Sequence, residues 1–241
     1  MTDPAPPSPS TIEILQGVST ATLTMVLLKH GIRTSWLNGP MPLQPLPTRV
    51  VGPAFTIRFV PGREDLSTPE SYAPALAFRD AIEAAPAGSV VVVDGCGNSL
   101  GATLGDILIA RLAQKGVVAA ITDTPVRDGD EIMKVAMPVL CTGVAAPPSI
   151  VGLAFAGWNQ IIGCGGVAVR PHDVMVCDND GAVVIPFELA DEVAAAGAEQ
   201  EHFERFVQLR VNAGASVMGL YPPDEAAVAQ YQQWLADGEP N

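Results

Sequence analysis

A run of β-branched residues, Ser89 to Asp94 (SVVVVD), followed by the glycine-rich turn GCGNSLG, constrains this chain more than any other feature. Consecutive valines suit a strand covered on both faces, where no polar alternation is needed. Gly95, Gly97 and Gly101 permit positive φ and close backbone approach. A helix over about Thr103 to Lys115 follows, and its first N–H groups are free to face an anion. The next strand, Val117 to Thr122, is expected to run parallel to the first through a right-handed crossover. Ligands in open α/β sheets bind at the carboxyl edge, and there the unit delivers Asp106, Asp123, Arg127 and Asp128.

Twenty residues separate Asp106 from Arg127 and Asp128. An arginine can clamp a carboxylate in bidentate fashion, and carboxylates with water are the ligands a hard Mg²⁺ or Mn²⁺ ion prefers. The grouping therefore suggests a divalent cation and an anionic substrate. A plainer reading also fits the spacing: Arg127 and Asp128 as a salt-bridged turn, with Asp106 as an exposed helix residue.

The run GNSLGATLGD, twenty further residues and then RD within VRDGDEI resembles the Asp-X20-Arg-Asp signature of the RraA-like family. That family includes class II 4-hydroxy-4-methyl-2-oxoglutarate/4-carboxy-4-hydroxy-2-oxoadipate aldolases. Three further segments, VSTATLTMVLLKHG, VVGPAFTIRFV and VAVRPHDVMVCDNDGAVVIP, resemble family segments in the same order, so the likeness covers about residues 11 to 210. It implies a layered α/β/α fold of the RraA-like swivelling type with a βαβ active-site unit. It also implies a divalent-metal-dependent lyase that cleaves a C–C bond of a 2-keto acid to give pyruvate through a metal-stabilised enolate, by retro-aldol cleavage, oxaloacetate decarboxylation or both. Carried over by position, Asp128 ligates Mg²⁺ or Mn²⁺ and Asp106 holds metal-bound waters. Arg127 binds the keto acid and stabilises developing charge, and the backbone at Leu104 and Gly105 receives the substrate carboxylate. A homotrimer or a dimer of trimers is implied, with an acidic side chain from a neighbouring subunit. Glu199, Glu201 and Glu204 are all available for that role.

One departure stands out: the family commonly has Asp-Gly before the Val-Arg-Asp strand end, whereas this chain reads Asp123, Thr124, Pro125. Some family members are regulators of ribonuclease activity that bind a protein partner and lack the complete acidic motif, so a non-catalytic regulator is the alternative. A dinucleotide-binding oxidoreductase fits less well. The turn spaces its glycines Gly-x-Gly-x-x-x-Gly, and no acidic residue closes a second strand at ribose-binding distance.

A net charge of −13 with 13 basic residues disfavours nucleic-acid binding, which needs a basic stripe. The same charge repels an anionic keto acid at long range, so its site needs local positive potential from Arg127, the metal and a helix N-terminus. No apolar run approaches the length of a membrane span and MTDPAPPSPS lacks the features of a secretory signal, so a soluble cytoplasmic enzyme is expected. Cys96, Cys141, Cys164 and Cys177 are too dispersed for a zinc knuckle or a disulfide framework and are expected to be buried thiols. His172, after Pro171, reads as a turn residue.

Residues 1–10 are expected to be a disordered lead-in and 11–241 a single catalytic domain. The domain should begin with one helix from about Thr11 to Lys29, then a strand near Ala54 to Val60 and an amphipathic helix over Tyr72 to Ala85 facing inward through Leu76, Phe78 and Ile82. A short segment at Met137 to Cys141 and strands near Ile161, Val167, Val174 and Val183 follow the motif. Long helices are expected over Phe187 to Arg210 and about Pro223 to Ala236, the last carrying Tyr231 and Trp234.

Overall fold

The computed structural model describes residues 7–68, 70 and 77–239. Two helices open it, α1 (Pro9–Gln16) and α2 (Thr20–Lys29), where the apolar periodicity suggested one. They are bent by 113° across Gly17, Val18 and Ser19. The Gly17 N–H donates to Ile14 O and the Val18 N–H to Leu15 O, which closes α1, and the Ser19 side chain accepts from the Thr22 N–H as the N-cap of α2. Satisfying both sets of free end groups lets the chain turn. Pro9 and Ser10 are already helical, inside the stretch expected to be a tail, whose first six residues lie outside the described ones.

The remaining elements are β1 (Met41–Pro42), β2 (Val50–Pro61), α3 (Ala77–Ala84), β3 (Val90–Asp94), α4 (Asp106–Gln114), β4 (Ala119–Thr122), α5 (Gly129–Ile132), β5 (Val139–Cys141), β6 (Leu153–Trp158), β7 (Val174–Asp178), β8 (Gly181–Ile185), α6 (Ala190–Asn212) and α7 (Glu225–Ala236). The expected helix from Tyr72 is described only from Ala77 onward, and within that part Phe78 and Ile82 do face the core.

The sheet runs β1-β5-β4-β3-β2-β7-β8, with β6 on β2. The β3–β4 pair is parallel, as the βαβ reading required, and β2–β3 and β4–β5 are parallel too. Strand β2 is long enough to change partners along one edge: Val50–Pro53 pair with β7 and Ile57–Pro61 with β6, both antiparallel. The chain around β1 nearly closes the sheet. Leu37 N–H, ahead of β1, donates to Ala182 O (2.9 Å) on β8, and Leu43 N–H, just after β1, donates to Val139 O (2.9 Å) on β5.

The β-branched run has its physical reason here. Val91 and Val93 enter a core with Ile109 and Leu112 of α4, while Val90 and Val92 enter a second core with Met175 and Cys177 of β7. All four valines are fully buried, which stabilises the fold by about 1.5 kcal/mol or more per side chain. A third core packs α1, α2 and α6 on β7 and β8, and a fourth joins α6 to α7 through Phe206, Tyr231 and Trp234.

Two expectations need correction. Ile161 and Val167 lie on no strand: Cys164–Gly166 form a single 3-10 turn, bracketed by an isolated bridge between Ile162 and Val169. Strand β6 lies instead just upstream, where LAFAGW, a short run with a glycine, gives little pattern of its own and is recruited by the free edge of β2. Cys141, Cys164 and Cys177 are buried as expected, but Cys96 is exposed, because it sits at φ 56° in the glycine turn. Among the described residues, no single helix is long and apolar enough to cross a membrane.

Candidate functional site

The glycine turn after β3 is built around a buried carboxylate. Asp123, at the end of β4, accepts from the N–H groups of Gly95 (2.7 Å), Gly97 (3.0 Å) and Gly165 (3.4 Å). Burial pushes its carboxyl above the ordinary range, against the pull of those three N–H donors. Asp94 plays a matching part, accepting from Cys96 N–H (2.9 Å) and Gly163 N–H (3.0 Å). Asp123 stands at the carboxyl edge as expected, and there the structure commits it to holding the turn.

Gly95 is required by a neighbour, since a Cβ there would lie 2.1 Å from Thr124 Cγ2. Thr124 in turn closes a buried hydroxyl triangle with Thr103 (2.8 Å) and Thr122 (2.8 Å) beneath the site. The substituted turn at Asp123, Thr124 and Pro125 is thus accommodated by a threonine that packs on the first glycine and bonds to the strand below.

Beyond the main sheet the backbone continues in parallel bridges, Leu104 with Val126 and Val126 with Val144. Arg127 N–H donates to Leu104 O (3.0 Å) and Val126 N–H to Gly143 O (3.0 Å), which fixes Arg127 and Asp128 beside the start of α4. Gly105 is the N-cap of α4 and supplies no side-chain cap, so the first-turn N–H groups face the cleft without a protein acceptor from that residue. A Cβ on Gly105 would lie 3.1 Å from Arg127 Cγ and 3.2 Å from Asp128 Oδ2. Asp128 adopts the left-handed conformation (φ 62°, ψ 41°) at the start of α5, an arrangement that costs free energy in a non-glycine residue and clusters at functional sites.

Arg127 Nε donates to Asp128 Oδ2 at 3.1 Å, with the two side chains 42% and 40% exposed. A pair this open stabilises a fold by at most about 1 kcal/mol, so stability does not account for it. Asp106, Arg127, Asp128, Leu104 and Gly105 all line one cleft of about 450 Å³. The sequence-derived set is therefore brought together in space. What the sequence did not reveal is an apolar part of the wall that includes Phe59 from β2, Phe78 from α3, and Leu153 and Phe155 from β6.

Among the described residues, no group of three or more His, Cys, Asp or Glu side chains is placed to hold a metal. The cleft offers two carboxylates, Asp106 and Asp128, an all-oxygen donor set that fits Mg²⁺ or Mn²⁺ retaining several waters. Of the three candidate glutamates Glu199, Glu201 and Glu204 on α6, Glu201 is engaged within its own chain by Ser19 N–H (2.8 Å) and Thr22 Oγ1 (2.9 Å). Glu204 accepts from the Tyr221 hydroxyl (3.1 Å), and Glu199 is exposed. Cys96 is no nucleophile of the usual kind: partial desolvation of its sulfur, with Asp94 and Asp123 nearby, raises its thiol above the ordinary value.

A mixed α/β sheet with an acidic and arginine-bearing cleft at a helix N-terminus defines the class. The model of the RraA-like family (Aldolase/RraA) matches residues 20–184, and the chain belongs to that family. Among solved structures it resembles RraAS2 of Streptomyces coelicolor, described as an unusual member of the RNase ES inhibitor RraA protein family. The two are 32% identical, with a TM-score of 0.77 over 86% of this chain and 99% of that one. It is 31% identical, over 57% of its length, to a Halalkalibacterium halodurans protein named "Putative 4-hydroxy-4-methyl-2-oxoglutarate aldolase", and 27% identical, over 77%, to protein DlpA of Legionella pneumophila. The matches span 60% and 29% of those two relatives.

Proposed function

We propose that this chain is a divalent-metal-dependent lyase that releases pyruvate from a 2-keto acid, by retro-aldol cleavage, by oxaloacetate decarboxylation, or by both. The observation that carries the reading is the convergence of Asp106, Arg127 and Asp128 on one cleft at the uncapped start of α4. Asp128 and Asp106 would hold Mg²⁺ or Mn²⁺, directly and through water. Bound there, the ion would supply Lewis acidity toward the 2-keto group.

The chain's own groups do the remaining work. The N–H groups at the start of α4, next to Leu104 and Gly105, receive the substrate carboxylate. The Arg127 guanidinium faces the keto oxygen and opposes the negative charge that grows on it as the C–C bond breaks. The Arg127 backbone N–H bond to Leu104 O and the Nε contact with Asp128 restrict its position before substrate arrives, which lowers the cost of orientation. Assembly as a homotrimer or dimer of trimers, with an acidic side chain entering from the neighbour, completes the proposal; light scattering of the purified protein tests it.

The likeness to RraAS2 favours a second reading, a non-catalytic regulator that binds a protein partner. One experiment separates them: pyruvate release from oxaloacetate and from 4-hydroxy-4-methyl-2-oxoglutarate, with Mg²⁺ or Mn²⁺, with chelator, and with Asp128→Ala, after subtracting metal-only decarboxylation. Metal-dependent turnover lost in the variant supports the lyase. A folded, metal-binding protein that releases no pyruvate from either substrate refutes it for these substrates and shifts the weight to the regulator.

A further inference from the structure

The cleft has two chemically different ends. One is the acidic and arginine-bearing end at α4. The other is an aromatic wall in which Phe59 meets Phe78 edge-on at 5.1 Å and Phe155 at 5.7 Å, with Phe78 and Phe155 5.7 Å apart. Phe59 is buried and acts as the pivot, while Phe78 and Phe155 are only partly buried and turn toward the cleft. The three rings come from β2, α3 and β6, so the wall is fixed by packing between elements.

A volume of about 450 Å³ lies within the range of small-molecule sites. A three-carbon keto acid anchored at Arg127 would fill only the polar end. A substituent on its third carbon would share the cleft with these rings. A second carboxylate placed there sheds hydration against hydrocarbon, whereas an apolar group gains by leaving water. Arg79, at the exposed side of α3, also lines the cleft and marks the rival occupancy, a dicarboxylate reaching outward to that guanidinium.

Resting on the lyase reading above, we infer that the substrate is a 4-hydroxy-2-keto acid whose distal substituent is apolar, an aryl or branched alkyl group in place of a second carboxylate. In the reaction the C3–C4 bond breaks and its electron pair passes to C3. The 4-hydroxyl loses its proton as C4 becomes a carbonyl, and C3 gains a proton to give pyruvate. The second product is an aromatic or alkyl aldehyde or ketone, and no oxidant or reductant is consumed.

Calorimetric titration of the Mg²⁺-loaded protein with phenylpyruvate, pyruvate and 2-oxoglutarate tests this without turnover. Phenylpyruvate is expected to bind about tenfold or more tighter than 2-oxoglutarate, the scale set by burying one phenyl ring. Phe155→Ala should narrow that preference, and Phe78→Leu provides a second variant if the first does not fold. Equal or tighter binding of 2-oxoglutarate by the wild-type protein overturns the inference. In parallel, exchange of the pyruvate methyl protons in D₂O reports on the lyase reading. Exchange without an aryl preference overturns the substrate inference and leaves the lyase standing. An aryl preference without exchange supports the apolar subsite and overturns the lyase. Neither result overturns both.

Discussion

Gly105→Ala isolates the geometry of the cleft from the stability of the fold. Gly105 has φ −129° and ψ 176°, a conformation open to any residue, so the substitution introduces no backbone strain. Loss of a glycine N-cap and gain from a less flexible unfolded chain are each a few tenths to about 1 kcal/mol and oppose one another. The net change in melting temperature should stay within about 4 °C for a chain of this size. The new Cβ, however, stands 3.1 Å from Arg127 Cγ and 3.2 Å from Asp128 Oδ2, where ordinary contacts begin at 3.4 Å. Arg127 and Asp128 must each give way by a few tenths of an ångström. Displacements of about 1 Å cost on the order of a hundredfold in rate, so the shift here should lower kcat/KM by about tenfold and weaken Mn²⁺ binding by a similar factor. Thermal denaturation, Mn²⁺ titration by electron paramagnetic resonance and a pyruvate-release assay measure the three quantities. Unchanged Mn²⁺ affinity and turnover with an unchanged melt would refute the claim that close approach at Gly105 sets the site. A melt lowered by much more than 4 °C would show that the approach serves the fold.

Gly95→Ala should destabilise severely, by about 3 kcal/mol or more, since its Cβ would fall 2.1 Å from Thr124 Cγ2. Adding Thr124→Ser removes that methyl, keeps the hydroxyl of the buried triangle and should restore much of the loss; urea denaturation of the double-mutant cycle reads the coupling. At Glu201, burial alone would raise the carboxyl, but Ser19 N–H, the Thr22 and Ser19 hydroxyls and nearby Arg49 outweigh it and hold the pKa below the usual 4.5. Its stabilisation is therefore present above pH 4.5 and lost as pH falls through the lowered value. Glu201→Gln should cost about 1 kcal/mol at pH 7 after allowing for solvent screening, and melts of variant and wild type should converge in acid.

The sequence by itself determined the central unit, because its signals are local. Four valines in a row at 90–93 admit a doubly covered strand and little else, the glycines admit the turn, and the run to Val126 is long enough for one helix and one parallel strand. The positions of Asp106, Arg127 and Asp128 follow from that unit and from the family resemblance. The break between α1 and α2 is not legible in the sequence, because apolar periodicity continues across Gly17 and Ser19, each a weak signal alone. Only the tertiary structure decided which carboxylates are committed elsewhere. Asp123 and Asp128 stand five residues apart, yet one is enclosed by three backbone N–H groups and the other opens on the cleft. Only the tertiary structure assembled the phenylalanine wall, whose members are separated by tens of residues and meet because β2 pairs with β6 while α3 packs over both. Local sequence fixes backbone conformation through sterics and hydrogen bonding. Which side chains share a cavity depends on long-range packing, and here that packing gives the cleft its apolar end.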